Sequence, residues 1–194
     1  VRLTEAGRLD PAALFPERRE VWLEIGFGGG EHLAAQARAH PDIGLLGVEP
    51  FVNGVAKLLS VIEAEGLANI RVFTDDARLL LAALPDGCLG RIFVLFPDPW
   101  PKKRHHKRRI VNRGTVAEFA RLLRPGGELR LSTDDPGYAR WMLDACLAEP
   151  RLEWLARRAA DWKERPAESP PTRYERKAVA AGRRPVWFRF RRRP

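Results

Sequence analysis

Cysteine is almost absent: Cys88 and Cys146 are the only two in 194 residues. Two thiols cannot staple a chain of this length, which excludes a disulfide scaffold and favours a reducing compartment. Both sit in apolar or turn contexts without a paired base, so both read as packing residues. Long apolar runs are missing as well. None approaches the length that crosses a bilayer, and the N-terminus has no signal-peptide pattern, so the expectation is a soluble, cytoplasmic protein with no membrane partner. No internal repeat is visible, and the chain starts at Val1 rather than Met, which points to trimming. No metal site is expected, because the adjacent His105 and His106 have poor geometry for one ion.

Acids are missing from two places. Lys102 to Arg109 holds six Lys or Arg residues and Arg183 to Arg193 holds six more, with no Asp or Glu in either. The formal charge is +9, from 34 basic and 25 acidic residues, yet outside those segments 22 basic residues face 25 acidic ones. The positive field is therefore local, as a phosphate-rich partner requires. A solvated basic face or a disordered tail is the plainer alternative for each segment.

What is present has a rhythm. Residues 1–20, with Gly7, Pro11 and Pro16, read as an N-terminal arm over a single domain at 21–194. Strand-like runs at Val21–Ile25, Ile43–Val48, Ile70–Phe73, Arg91–Leu95 and Glu128–Ser132 alternate with helical stretches. The latter fall at Glu31–His40, Asn53–Glu65 (Val55, Leu58, Leu59 and Ile62 on one face), Ala77–Leu84, Thr115–Arg124 and Pro136–Ala148. This alternation predicts an α/β fold, a mostly parallel central sheet with helices on both faces. Leu152–Leu155 and Val186–Phe190 add a late antiparallel edge hairpin.

In such sheets ligands bind beyond the carboxyl ends of the strands. Here those ends carry Glu24, Glu49, Asp76, Asp98 and Asp134. The turn after the first strand has glycines at Gly26, Gly28 and Gly30, and Glu24 precedes them. A pyrophosphate there would meet a carboxylate, which argues against a dinucleotide. S-adenosylmethionine, a cation without phosphate, suits the acids: Glu49 for the ribose diol, Asp76 and Ala77 for adenine. Helix N-caps are the alternative for Asp76 and Asp135. Asp98 lies in Phe96-Pro97-Asp98-Pro99-Trp100-Pro101, where the prolines end the strand and bend the chain. Trp100 either stacks on a base or closes the strand, and Lys103, Arg104, Arg108 and Arg109 are further candidates for RNA contact. Thr172-x-x-Glu175 reads as a helix capping box ahead of Arg176–Ala181.

Taken together, Glu24-x-Gly26-x-Gly28-x-Gly30, Gly47-Val48-Glu49, Asp76-Ala77, the segment Phe96 to His105, Thr133-Asp134 and Thr172-Arg173-Tyr174-Glu175 resemble the bacterial tRNA (guanine-N7)-methyltransferases. The resemblance runs from about Trp22 to the C-terminus. It implies a Rossmann-like class I methyltransferase fold, S-adenosylmethionine as donor and a variable-loop guanine of tRNA as acceptor. It further implies cofactor contact by Glu24, Glu49 and Asp76, catalysis by Asp98, and substrate contact by Lys102, Asp134 and Thr172, Arg173, Tyr174 and Glu175. Asp135 departs from the aromatic residue frequent there. No obligate protein partner is implied, and the protein is expected as a monomer or homodimer. The competing readings are a methyltransferase of another RNA base, ribosomal RNA or protein, and a noncatalytic RNA-binding module with a vestigial pocket.

Overall fold

The computed structural model describes Val1, Leu3 and residues 8–194; the remainder of the expected arm, Gly7 included, lies outside the described residues. Five parallel strands form the centre: β1 (Glu20–Ile25), β2 (Ile43–Val48), β3 (Ile70–Phe73), β4 (Leu89–Leu95) and β5 (Leu123–Thr133). With β6 (Leu152–Trp154) and β7 (Val186–Arg192) they make one seven-stranded sheet in the order β3-β2-β1-β4-β5-β7-β6. β7 is antiparallel to both neighbours, so the last strand inserts between β5 and β6 and leaves β6 at the edge. Strand order reverses between β1 and β4, which opens a crevice at their carboxyl ends.

Eight α-helices are found among the described residues: α1 (Pro11–Leu14), α2 (Glu31–Ala39), α3 (Val52–Glu65), α4 (Ala77–Ala83), α5 (Arg113–Leu122), α6 (Pro136–Leu147), α7 (Ala160–Lys163) and α8 (Arg173–Ala180). Because side chains alternate along a strand, each of β1 to β4 feeds two cores. Leu23, Ile92, Val94 and Leu131 point to a large core closed by Leu80 of α4, Phe119 of α5 and Met142 of α6. Trp22, Leu45 and Phe93 point the other way, to a smaller core closed by Leu33 of α2 and Leu58 of α3.

On β5 and β7 that second face changes character. Glu128 and Arg130 replace apolar residues, and Arg130 reaches Glu128 at 2.9 Å and Glu168 at 2.9 Å. Arg191 and Arg189 approach Glu128 at 3.4 and 3.5 Å. Arg91 stacks on Trp22 with 4.1 Å between guanidinium and ring centroid. Burial and the neighbouring Arg130 push its pKa down to about 10, which still leaves it charged at neutral pH.

Several local expectations are corrected. The helix expected at Thr115–Arg124 starts at Arg113, because the Asn112 side chain accepts from the Gly114 and Thr115 amides while Thr115 Oγ accepts from the Asn112 amide. It ends at Leu122, and Leu123 onward is strand: Pro125 disfavours helical backbone at Arg124, and the pairing with β4 is irregular between Leu89 and Arg91. Leu59, expected on the inner face of α3, is 51% exposed. Gly54 explains this: a Cβ there would stand 2.2 Å from the Gly28 carbonyl oxygen, so α3 meets the molecule along Gly54 and Leu58 and turns Leu59 outward. α8 begins at Arg173, three residues early, since Thr172 is its N-cap. In the arm, the Leu9 amide donates to Ala83 O and Phe15 packs on Gly44, while Glu20, assigned to the arm, is the first residue of β1.

Candidate functional site

A cavity of about 700 Å³ lies over the carboxyl ends of β1 to β4, within the ~300–1,000 Å³ range of small-molecule sites. One wall is the glycine turn. Gly28 has φ +58, and its amide donates to Glu49 Oε2 at 2.8 Å. Glu49 Oε1 accepts from the Phe51 amide at 3.0 Å, so a buried carboxylate is fixed by two backbone donors. Each oxygen keeps lone-pair capacity for a further donor. Asp76 caps α4, accepting from the Arg78 amide at 2.9 Å and from the Arg78 guanidinium at 3.0 Å. The N-cap alternative for Asp76 is therefore borne out, and Asp76 still lines the cavity together with Asp75, Ala77 and Arg78.

Opposite stands the proline turn after β4. Phe96 has φ +51 and Trp100 φ +43, so two bulky residues in the left-handed region bracket Pro97-Asp98-Pro99. Such backbone costs on the order of 1–3 kcal/mol per residue and persists only where the surroundings hold it. Asp98 lines the cavity, is exposed, and has no hydrogen bond or salt bridge among the described residues. Arg108 lies over the Trp100 ring at 4.9 Å, and His105 meets that ring edge-on at 5.9 Å. Lys102 is exposed and precedes a 3-10 helix at Lys103–Arg108 that displays Lys103, Arg104, Lys107 and Arg108 to solvent.

Arg109 is a correction. Expected as an RNA contact, it is buried, with its guanidinium 4.9 Å from the Tyr138 ring centroid and 4.8 Å from that of Trp141. Its Nε donates to Pro99 O at 2.8 Å. The charge run in sequence hides this, because the two rings come from α6. Only their i, i+3 spacing hinted at a paired aromatic face.

The remaining expected residues divide. Arg173 and Tyr174 reach the cavity from α8, and a Cβ on Gly28 would stand 2.9 Å from the Tyr174 ring. Thr172 and Glu175 hold that segment instead: Thr172 Oγ accepts from the Glu175 amide, while the Glu175 carboxylate pairs with Arg165 at 3.1 Å, so the capping box is half made. Glu24 is buried behind the wall, accepting from His32 Nδ1 at 2.7 Å, and Gly30 packs on Leu58; neither lines the cavity. Asp134 accepts from Arg183 Nε at the end of β5, also off the wall. Asp135 caps α6 through the Tyr138 amide at 2.6 Å, as its N-cap reading had it.

Burial pushes the Cys88 thiol up to about 11 and the Cys146 thiol up to about 12, which fits packing roles for both. Among the described residues no group of three or more His, Cys, Asp or Glu side chains is placed to hold a metal ion, and no helix is long and apolar enough to cross a membrane.

The sheet order, the antiparallel β7 and a glycine turn at the mouth of the crevice define a class I methyltransferase fold. Two solved structures share it: the 16S rRNA methyltransferase KamB, with TM-score 0.66 and 15% identity over 100% of this chain and 96% of that one, and the aminoglycoside resistance methyltransferase NpmB1, with TM-score 0.62 and 19% identity over 99% and 95%. A family described as putative methyltransferases matches residues 18–188. The tRNA (guanine-N(7)-)-methyltransferase of Rhodospirillum rubrum is 56% identical over 193 residues, covering 99% of this chain and 76% of the relative. That of Paramagnetospirillum magneticum is 54% identical, covering 96% and 78%. The chain belongs to the tRNA (guanine-N(7)-)-methyltransferase family.

Proposed function

We propose that this protein transfers the methyl group of S-adenosylmethionine to N7 of a guanine in the variable loop of tRNA, in the cytoplasm. The relatives' names and their coverage of the chain support the reaction. The observation that carries it is Asp98: an unpaired carboxylate in a strained turn, facing the cavity whose other wall holds Glu49 and Asp76.

The residues fit the donor. Glu49 is pre-set by two amides with lone pairs left for a vicinal diol, Asp76 and Ala77 border the same space, and the close approach of Gly54 to the Gly28 carbonyl fixes the floor. When bound, S-adenosylmethionine would supply an electrophilic methyl group. Guanine N7 presents an in-plane lone pair, so the protein needs neither a strong general base nor a covalent nucleophile. Its work is to orient the base and to stabilise the positive charge that develops on the purine. Asp98 does both by accepting from the guanine N1 and N2 protons and offsetting the ring's charge. The solvent-facing Lys102, Lys103, Arg104 and Arg108 hold phosphates, and Trp100 borders the space for the extruded base.

The test is incubation with labelled donor and unmodified tRNA, followed by nucleoside analysis. Label in 7-methylguanosine is expected. Label in another nucleoside, or none, overturns the assignment.

A further inference from the structure

The proline turn cannot hold itself. Pro97, Pro99 and Pro101 have no amide hydrogen, so only Asp98 and Trp100 could donate from within it. On its strand side the turn is tied by the Phe96 amide donating to Ser132 O at 2.9 Å. On its far side the tie is Arg109, whose Nε donates to Pro99 O at 2.8 Å. Arg109 is the one residue of the run Lys102–Arg109 that is buried. No carboxylate lies within ion-pair distance of it among the described residues. Two aromatic faces of α6, Tyr138 and Trp141, flank its guanidinium instead.

The same helix grips the chain two residues on. The Val111 amide donates to Tyr138 Oη at 3.1 Å, and Trp141 Nε1 donates to Val111 O at 2.8 Å. α6 thus fixes residues 109–111, and Arg109 passes that fix to the carbonyl next to Asp98. A buried cation without a counter-ion is costly, and an apolar residue would fill the slot more cheaply, so what only a guanidinium supplies must matter here. It can lie flat between two rings and donate in its own plane, which an ammonium cannot.

We propose that Arg109 is a positioning residue for the methyl transfer, acting through the Pro99 carbonyl to hold Asp98 toward the cavity, and that it takes no part in gripping RNA. This rests on the reaction proposed above; the test has a readout that does not.

Arg109→Met keeps length and apolar contact, and Arg109→Lys keeps the charge. For Arg109→Met, kcat is expected to fall about 100-fold, the cost of a misplaced reacting group, while donor affinity and the salt slope of tRNA binding stay as in the parent. Arg109→Lys recovers part of kcat. In hydrogen exchange, the Phe96 amide, which ties the turn to Ser132 O, becomes less protected in both variants while the Gly28 amide does not change. The proposal is overturned by weaker tRNA binding with a shallower salt slope and an intact kcat, the signature of a phosphate contact. It is equally overturned by unaltered exchange at the Phe96 amide, or by parallel loss of kcat, donor affinity and the unfolding transition in both variants, which is a structural role alone. Should the parent protein form no 7-methylguanosine, the reaction fails, and the exchange comparison still decides whether Arg109 holds the turn.

Discussion

The two walls of the cavity are built by opposite means. Around Glu49 the carboxylate is buried and fixed by the Gly28 and Phe51 amides, and the turn beneath it is pressed against α3 at Gly54. Around Asp98 the carboxylate is exposed and unpaired, and its backbone is strained and pinned from behind. The first wall is finished before any ligand arrives, as suits a donor of fixed shape that must be bound every cycle. The second leaves its acid and its cations unanswered, as suits a large polyanion whose base has to be drawn in. Pre-set backbone donors and a poised, unsatisfied acid are both forms of preorganisation, spent on different partners.

Asp98→Asn gives the widest separation of the walls. The amide cannot accept from both guanine N1 and N2 protons or offset the ring's charge, so kcat is expected to drop by about 10²- to 10³-fold, the usual cost of losing one transition-state contact. Donor affinity, measured by calorimetry, stays within error. Equal losses in both would show that the turn supports the donor wall. Glu49→Gln attacks the other side. One of its two acceptors becomes an NH2 group, leaving the Gly28 or Phe51 amide unpaired at about 1–3 kcal/mol, so donor affinity falls roughly 10- to 100-fold while kcat at saturating donor changes little. Lys102→Ala with Arg104→Ala is the milder cut: tRNA affinity drops and its logarithmic salt slope decreases by about 1–2, with kcat at saturating tRNA retained.

The donor wall was the more legible of the two in sequence, because its determinants are local. Strand β2 runs Ile43–Val48 as expected and Glu49 follows it directly; the glycines sit in the turn their spacing announced. The fold was legible for the same reason, since periodicity and proline or glycine stops mark each strand and helix. Arg109 was not legible: a basic residue in a basic run looks solvated until Tyr138 and Trp141 are folded beside it from about thirty positions away in the chain. Glu24 was hidden likewise, its partner His32 becoming visible only once α2 packs back on β1. Leu59 failed because a close approach at Gly54, not the helix's own apolar stripe, sets the rotation of α3.

Acid offers the smallest and most specific cut, through the arginine lattice behind the acceptor side. Glu168 lies ahead of α8, the helix that brings Arg173 and Tyr174 to the cavity, and Arg130 ties it to β5 at 2.9 Å. Burial works against ionisation of Glu128, but the Arg130 charge and hydrogen bonds, with Arg189 and Arg91 nearby, hold its carboxyl below the ordinary 4.5. Glu168 is lowered too, burial again being outweighed, here by a backbone hydrogen bond and by Arg130 and Arg189. A carboxyl whose folded-state pKa is depressed contributes stability that is complete above its unfolded value and is lost as pH falls through the folded one. Thermal stability should therefore be level above about pH 5 and decline below about pH 4.5, and in Glu168→Gln the decline should be shallower. Hydrogen exchange at pH 4 is expected to show α8 opening before the Gly28 turn does. If the glycine turn opened first, the acid-sensitive ties would have to be sought on the donor side, and the contrast between a finished wall and a waiting one would be reversed.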